Sequence, residues 1–329
     1  MARRHRLLVL PLLLLAFVVG REAHAVETLS LGTVAPKQSI WGKVFSVWET
    51  AIQKKSDGKL ELKVYFNGQQ GDDGTMIGKL KAGQLDGAAV SSIGLAQIHK
   101  PVLALQMPGV FRTWEAFDKA RESVRGDFEK AFAKEGFLVG FGDLGRLRAF
   151  TKGVVIRRPS DLKGRKVLSF RNDVVGPTLF QVVPGASIVQ LSATEVLPAL
   201  RTKSLDVLSA PALAAEQLQW TPLLDHMGAD SNVMAMGGLV WSKKRIDALP
   251  GDLRTILLDT GLVAQAALRK RIREEDDKSF ERLKEKMTVV QLSEDDKRAW
   301  KDVFTKLIER LKQGTFEPAL VDKLLGMAG

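Results

Sequence analysis

Residues 146–170 read RLRAFTKGVVIRRPSDLKGRKVLSF and hold eight Lys or Arg against one acid, Asp161. Cations at that density suit a nucleic-acid backbone, a clamp on one small anion, or a hydrated surface. Nucleic-acid sites present a basic recognition helix or aromatics interleaved with bases. Here the bases straddle two expected strands and a Pro-Ser-Asp-Leu turn, so they point several ways, and no nucleic-acid partner is expected. Arg157, Arg158, Lys163 and Arg165 read as turn and surface charge. Arg146 and Arg148 share one face of a strand, as alternate residues do, and one of the two is the basic residue expected to face a cleft.

Other reactive constellations are sparse. Gly140, Gly142 and Gly145 form G-x-G-x-x-G after a strand, the pattern a nicotinamide-dependent oxidoreductase would use. That site needs a helix N-terminus directly after the glycines. RLRAFTKGVVI follows instead and alternates like a strand, so the match reads as accidental. Cysteine is absent, and His99 and His226, the histidines beyond the N-terminal leader, have no metal-ligand spacing. No catalytic residue, metal or cofactor is expected. Asp72-Asp73 lies in a Gly-rich turn, where Asp is common for turn reasons alone. Glu274, Glu275, Asp276 and Asp277 read as helix surface.

The elements that would position a site alternate. TLSLGTV (28–34) and KLELKVYF (59–66) alternate like strands around a helix over Ser39–Ser56, with Trp41, Val44, Phe45, Trp48 and Ile52 on one face. A helix over 113–135, a strand FLVGFGD (137–143), then strands RLRAFTK, RKVLSF, SIVQL and LDVLSA follow, with helices between. That order gives an α/β fold with largely parallel sheets. LKAGQLDGAAVSS (80–92) is echoed by LRTKSLDVLSAPA (200–212), which suggests two similar lobes. Residues 250–287 read as one helix, roughly 55 Å long at 1.5 Å per residue, enough to span both.

MARRHR, an apolar run of about fourteen residues, and Ala23-His24-Ala25 form a basic region, a core and a small-x-small site. The run is short for a bilayer span of roughly 20. Residues 1–25 are expected to be a cleaved signal peptide, with no lipid anchor because no Cys follows. The full chain carries +11; removing the leader leaves 45 basic and 37 acidic residues, +8. That balance suits anion capture.

Five segments in order resemble a known family, the periplasmic substrate-binding (P) subunits of TRAP transporters, the tripartite ATP-independent periplasmic systems of the DctP type. NGQQGDD (67–73) is similar to N/S-x-Q-L-G-D-D, LKAGQLDGA to L-x-x-G-x-(L/I)-D-x-A, and PSDLKGRKV (159–167) to P-x-D-(L/M)-K-G-L-K-(I/L). SATEVLPALR (192–201) is similar to F-S-E-V-Y-x-A-L-Q, and LDVLSAP (205–211) to V-D-G-Q-E-N-P. The likeness covers nearly the whole mature chain.

The resemblance implies a two-lobe periplasmic-binding-protein fold, type II-like, with a long helix spanning both lobes and a ligand cleft between them. Lobe I is expected to hold 26–145 and 234–273, lobe II 146–233 and 274–329. It implies a monomer, not an enzyme, that hands a small molecule to integral membrane subunits; a ligand sensor without transport is the non-enzyme alternative. The family clamps a carboxylate with an Arg that here is Leu168, and adds an Asn that here is Ala210; a second family Arg is retained as Arg148. A buried carboxylate needs pairing, so the ligand is expected to be unusually apolar, or held by Arg148 or Arg171. Trp220, Trp41 and Ser91 are the further expected lining residues.

Overall fold

The computed structural model describes residues 26–328; the expected signal peptide, 1–25, lies outside the described residues. Alternation builds the first half. Leu29 and Leu31 of β1 (Glu27–Thr33) and Leu60 and Leu62 of β2 (Leu60–Tyr65) point into one core. There they meet Phe45, Trp48 and Ile52 of α1 (Ile40–Lys55). Ser39 caps that helix by accepting from the Gly42 N–H, 3.1 Å. Next come α2 (Asp73–Lys81), β3 (Gly87–Ser91), α3 (Ser92–Ala96) and α4 (Trp114–Lys134).

The sequence reads FLVGFGD and RLRAFTK as separate strands. They are one strand, β4 (Phe137–Thr151), bent by a bulge at Asp143/Gly145. The second half follows: β5 (Lys166–Phe170), α5 (Val175–Val182), β6 (Ser187–Leu191), α6 (Ala193–Arg201), β7 (Val207–Pro211), α7 (Ala212–Gln217) and β8 (His226–Gly228). The chain returns along β9 (Val233–Ser242) and α8 (Lys243–Asp247), then enters α9 (Gly251–Lys284). It ends with β10 (Thr288–Val290), α10 (Glu294–Gly314) and α11 (Pro318–Leu325).

The sheet runs β2-β1-β3-β9-β4-β7-β5-β6, with β8 and β10 to one side. Its two ends mirror each other. β3 lies parallel to β1 and antiparallel to β9; β7 lies parallel to β5 and antiparallel to β4. The echoed Leu-Asp pairs sit at matching places. Asp86 accepts from the Ser30 N–H of β1 at 2.8 Å, and Asp206 from the Lys166 N–H of β5 at 2.9 Å. Repetition in the sequence is therefore repetition in strand pairing.

Between the two ends, β4 and β9 pair antiparallel from Phe137↔Ser242 to Leu147↔Val233, and α9 runs alongside. Its first half packs on α1, where the Trp48 indole donates to Thr260, 2.9 Å. Asp276, only 2% exposed, fixes the second half: its carboxylate accepts the Arg146 N–H at 2.8 Å and the Leu213 N–H at 3.0 Å. Asp276, expected as helix surface, is thus a buried anchor. Buried backbone N–H groups need an acceptor, and this carboxylate supplies one to each. Gly145 lies beside it with φ +122°, and a Cβ there would come within 2.7 Å of both the Asp276 carboxyl and Pro211. Leu307, Leu311, Val321 and Leu324 of the last two helices join the core formed with Phe117, Phe132 and Phe141, while Asp296 pairs with Arg158 at 2.5 Å. The C-terminal tail thus touches both halves of the molecule.

Gly145→Ala should cost about 2–3 kcal/mol of stability, from the left-handed backbone and the displaced Asp276 together. An unchanged chemical-denaturation midpoint would show that the close approach at the bulge is dispensable.

Candidate functional site

A cavity of about 850 Å³ opens along the crossing strands. Its walls come from the C-terminal ends of parallel strands and the loops after them: Thr33 to Pro36 from the end of β1 onward, Ser91 at the end of β3, Leu168 to Asp173 from the end of β5 onward, and Ala210 near the end of β7. In open α/β sheets the crevice lies at those strand ends. Most of the lining is aliphatic or aromatic, including Trp41, Phe45, Leu138, Phe170, Leu239 and Trp241.

Six of the seven expected residues line this cavity: Trp41, Ser91, Leu168, Arg171, Ala210 and Trp220. Trp220 is also core, 3% exposed, among Val196, Leu224 and Met227. Ser91 also caps α3, accepting from the Ile93 N–H at 3.2 Å. Leu168 lies opposite Val189 on the neighbouring strand and is half-buried.

Arg148 is placed elsewhere. Leu147 and Ala149 face the cavity, and Arg146 and Arg148 face the other side of β4, toward Asp277 and Phe280 of α9. The Arg148 guanidinium stacks on the Phe280 ring, 3.7 Å from its centroid, and donates to the Ala229 carbonyl. The reason is strand parity: side chains alternate across a sheet, and the bulge at Asp143/Gly145 resets which ones face inward. Arg148 therefore holds α9 and the 229 loop against β4.

Arg171 is the one cation lining the cavity among the described residues. It pairs with Glu195 of α6 at 2.6 Å and lies 3.9 Å from Asp72, the N-cap of α2 in the opposite half. The Arg171 hydrogen bond, then the Ser192 N–H, hold the Glu195 carboxyl down at about 2.

The turn acids do more than the sequence suggests. Asp72 caps α2 by accepting from the Thr75 N–H at 2.8 Å, which leaves Asp73 free of that duty. Asp73 faces the cavity, and its Oδ2 accepts from the Ser91 N–H at 3.0 Å and from the Ser91 hydroxyl. Its Oδ1 is buried with no partner. Burial pushes this carboxyl up, against the Ser91 bonds. Trp41 Nε1, Gln97 Nε2 and Ser169 Oγ, all on cavity-lining residues, are likewise buried without partners. The sequence signal for Asp73 was the doublet itself: one Asp suffices for a cap.

The glycines of G-x-G-x-x-G all lie within β4, and the chain continues as strand through Thr151, so no helix N-terminus follows them. His99 packs edge-on against Phe128, 5.2 Å between centroids, and His226 bonds Asp225 at 2.7 Å. Among the described residues, no three His, Asp or Glu side chains gather to hold a metal, and no helix is long and apolar enough to cross a membrane.

Residues 31–314 match the family described as bacterial extracellular solute-binding protein, family 7. The 2,3-diketo-L-gulonate-binding periplasmic protein YiaO of Escherichia coli is 23% identical over 301 residues, 87% of this chain and 88% of that one. The C4-dicarboxylate-binding periplasmic protein DctP of Rhodobacter capsulatus is 21% identical, over 83% and 82% of the two chains. Among solved structures, the sugar acid binding protein DctPAm of Advenella mimigardefordensis in complex with galactonate superposes with a TM-score of 0.86 at 21% identity. It covers 92% of this chain and 98% of its own. A TRAP periplasmic solute-binding protein of Sulfurospirillum deleyianum with bound succinate gives 0.85 at 20%, over 92% and 99%. At these identities the structures establish the two-lobe fold.

A carbon-detected NMR titration should place the Glu195 carboxyl midpoint at about 2, and Arg171→Ala should return it toward the ordinary carboxylate range. A normal midpoint in the unmodified protein would mean that Arg171 is not tied to Glu195.

Proposed function

The chain belongs to the bacterial extracellular solute-binding protein family 7, the solute-binding family of TRAP transporters rather than a family of enzymes, and on that premise we propose that it captures one small organic molecule between two lobes. The carrying observation is the cavity of about 850 Å³ where the crossing strands meet the strand ends of both halves. Trp41 and Ser91 come from one side and Leu168, Arg171, Ala210 and Trp220 from the other, so both halves can hold one molecule. Relatives are named for sugar-acid and dicarboxylate binding. Here the ligand is a small organic compound, carboxylate-bearing or unusually apolar, because aliphatic and aromatic side chains make most of the wall.

Lobe I comprises 26–145 and 234–273, lobe II 146–233 and 274–329. The boundaries fall at the β4 bulge, at the start of β9 opposite it, and in α9 just before Asp276, where a change of strand twist would move one half against the other. The tail after 293 bridges them. The protein is exported, acts in the periplasm as a monomer, and delivers its ligand to integral membrane subunits when the lobes close.

Mass spectrometry of protein purified from its native periplasm should find one small compound at near-stoichiometric occupancy, and adding it to stripped protein should reduce the radius of gyration in X-ray scattering. A protein that carries nothing and does not compact with any compound of its periplasm would defeat this reading. Leu168→Arg should change the affinity for that compound by about tenfold or more, since a buried guanidinium alters what the wall can pair with. Unchanged affinity would show that Leu168 does not touch it.

A further inference from the structure

Resting on the solute-binding reading, we propose that Gln217 is a positioning residue for capture: it fastens the two lobes over a bound molecule by capping α1 from the opposite half, and so sets how slowly that molecule leaves. Its Oε1 accepts the Ile40 N–H at 3.0 Å. Ile40 is the first residue of α1 and Gln217 the last of α7. Their chain neighbours Trp41 and Leu218 both line the cavity. The contact therefore joins the halves beside the cavity wall.

Each partner is fixed within its own half. α1 lies on the core of Leu29, Leu31, Leu60 and Leu62, and its Trp48 bonds Thr260 in the first half of α9. α7 is tied to the second half of that helix. There the Leu213 N–H donates to Asp276 at 3.0 Å, and Glu216 accepts from Ser279 at 2.8 Å and from Arg282 at 2.6 Å. Moving one half against the other therefore strains the Ile40–Gln217 bond.

The bond answers a need of the helix. The first N–H groups of any helix have no acceptor within it. Ser39 takes the Gly42 N–H, and the first turn of α1 holds no acidic residue. Gln217 supplies the acceptor for Ile40 from outside. The halves also meet at two other places. Arg171 lies 3.9 Å from Asp72, and a Cβ on Gly68 would stand 3.0 Å from Thr194 Cγ2. The Arg171 pair is long and solvated, so it contributes little, and the Gly68 contact has no direction. The Gln217 bond is partly buried, short, and set at the helix end that favours an oxygen acceptor. It is the contact to which the geometry assigns the holding.

The test is stopped-flow association and release with two probes, succinate and galactonate, beside the compound that co-purifies, whose loss on dilution is followed by its mass. For whichever binds, Gln217→Ala and the shorter Gln217→Asn are expected to speed release about fivefold, the worth of one net hydrogen bond, and to leave the association rate unchanged. Gln217→Glu is expected to slow release about threefold, because a charged acceptor at a helix N-terminus is the stronger one. Ser39→Ala removes a cap of the same helix within one half, so it is expected to lower the unfolding midpoint and leave release unchanged. Release unchanged in both Gln217→Ala and Gln217→Asn, or sped equally by Ser39→Ala, overturns the inference and leaves the solute-binding reading intact. If the alanine variant folds poorly, Gln217→Asn and Gln217→Glu carry the test with their opposite signs. No probe bound and no compound co-purified would overturn both.

Discussion

The bend of the crossing strand and the seat of the long helix against it depend on one buried carboxylate. Asp276 of α9 accepts a backbone N–H from β4 and another from the start of α7, where the sheet bends. Lost or unpaired, that carboxylate would leave two buried donors without their acceptor and remove one of the ties between the long helix and the crossing strand. The neighbouring residue must be glycine for the carboxylate to come this close. The bulge that admits it then sets which face every later side chain of β4 occupies. The position of Arg148 behind the strand and of Leu147 and Ala149 in front follows from that one irregularity.

A second network braces the other side of the crossing. Asp143 is shared between Arg121 of α4 and Arg273 of α9, and Arg273 also bonds Asp118 and lies over the Trp114 ring, 4.2 Å from its centroid. The buried charge is matched on both sides, the condition under which an interior ion pair is tolerable. Bases that look in composition like a store for anions are thereby consumed by structure. The cleft keeps the acids and one committed Arg.

Much of the architecture was legible. Period-two alternation placed most strands, the 250–287 stripe gave α9, and the echo of Leu-Asp segments foretold the mirrored halves, because each Asp performs the same backbone capping. The failures have separate causes. A one-residue bulge leaves no mark in hydrophobic periodicity, so FLVGFGD and RLRAFTK looked like two strands and Arg148 looked inward. Asp276 sat within a charged run, RKRIREEDDK, where burial of one member cannot be told from its neighbours. Asp73 was hidden by its own partner, since a turn explains an Asp before a helix and says nothing of the second. Leu168 and Ala210 were expected in the cleft from family register, which also put Arg148 there, and Arg171 was named beside Arg148 as a second holder of an anion.

The sheet has no seam. From β2 to β6 every strand is bonded to its neighbour, and two of the three passages of the chain between the halves, along β4 and β9, are themselves paired along ten positions. Two bodies joined by separate loose threads could tumble independently. These share a ribbon, and a change in its twist would alter the gap between them. A molecule wedged at the strand ends would therefore be felt as a rotation at the far edges, and a partner could sense occupancy without ever touching what is bound.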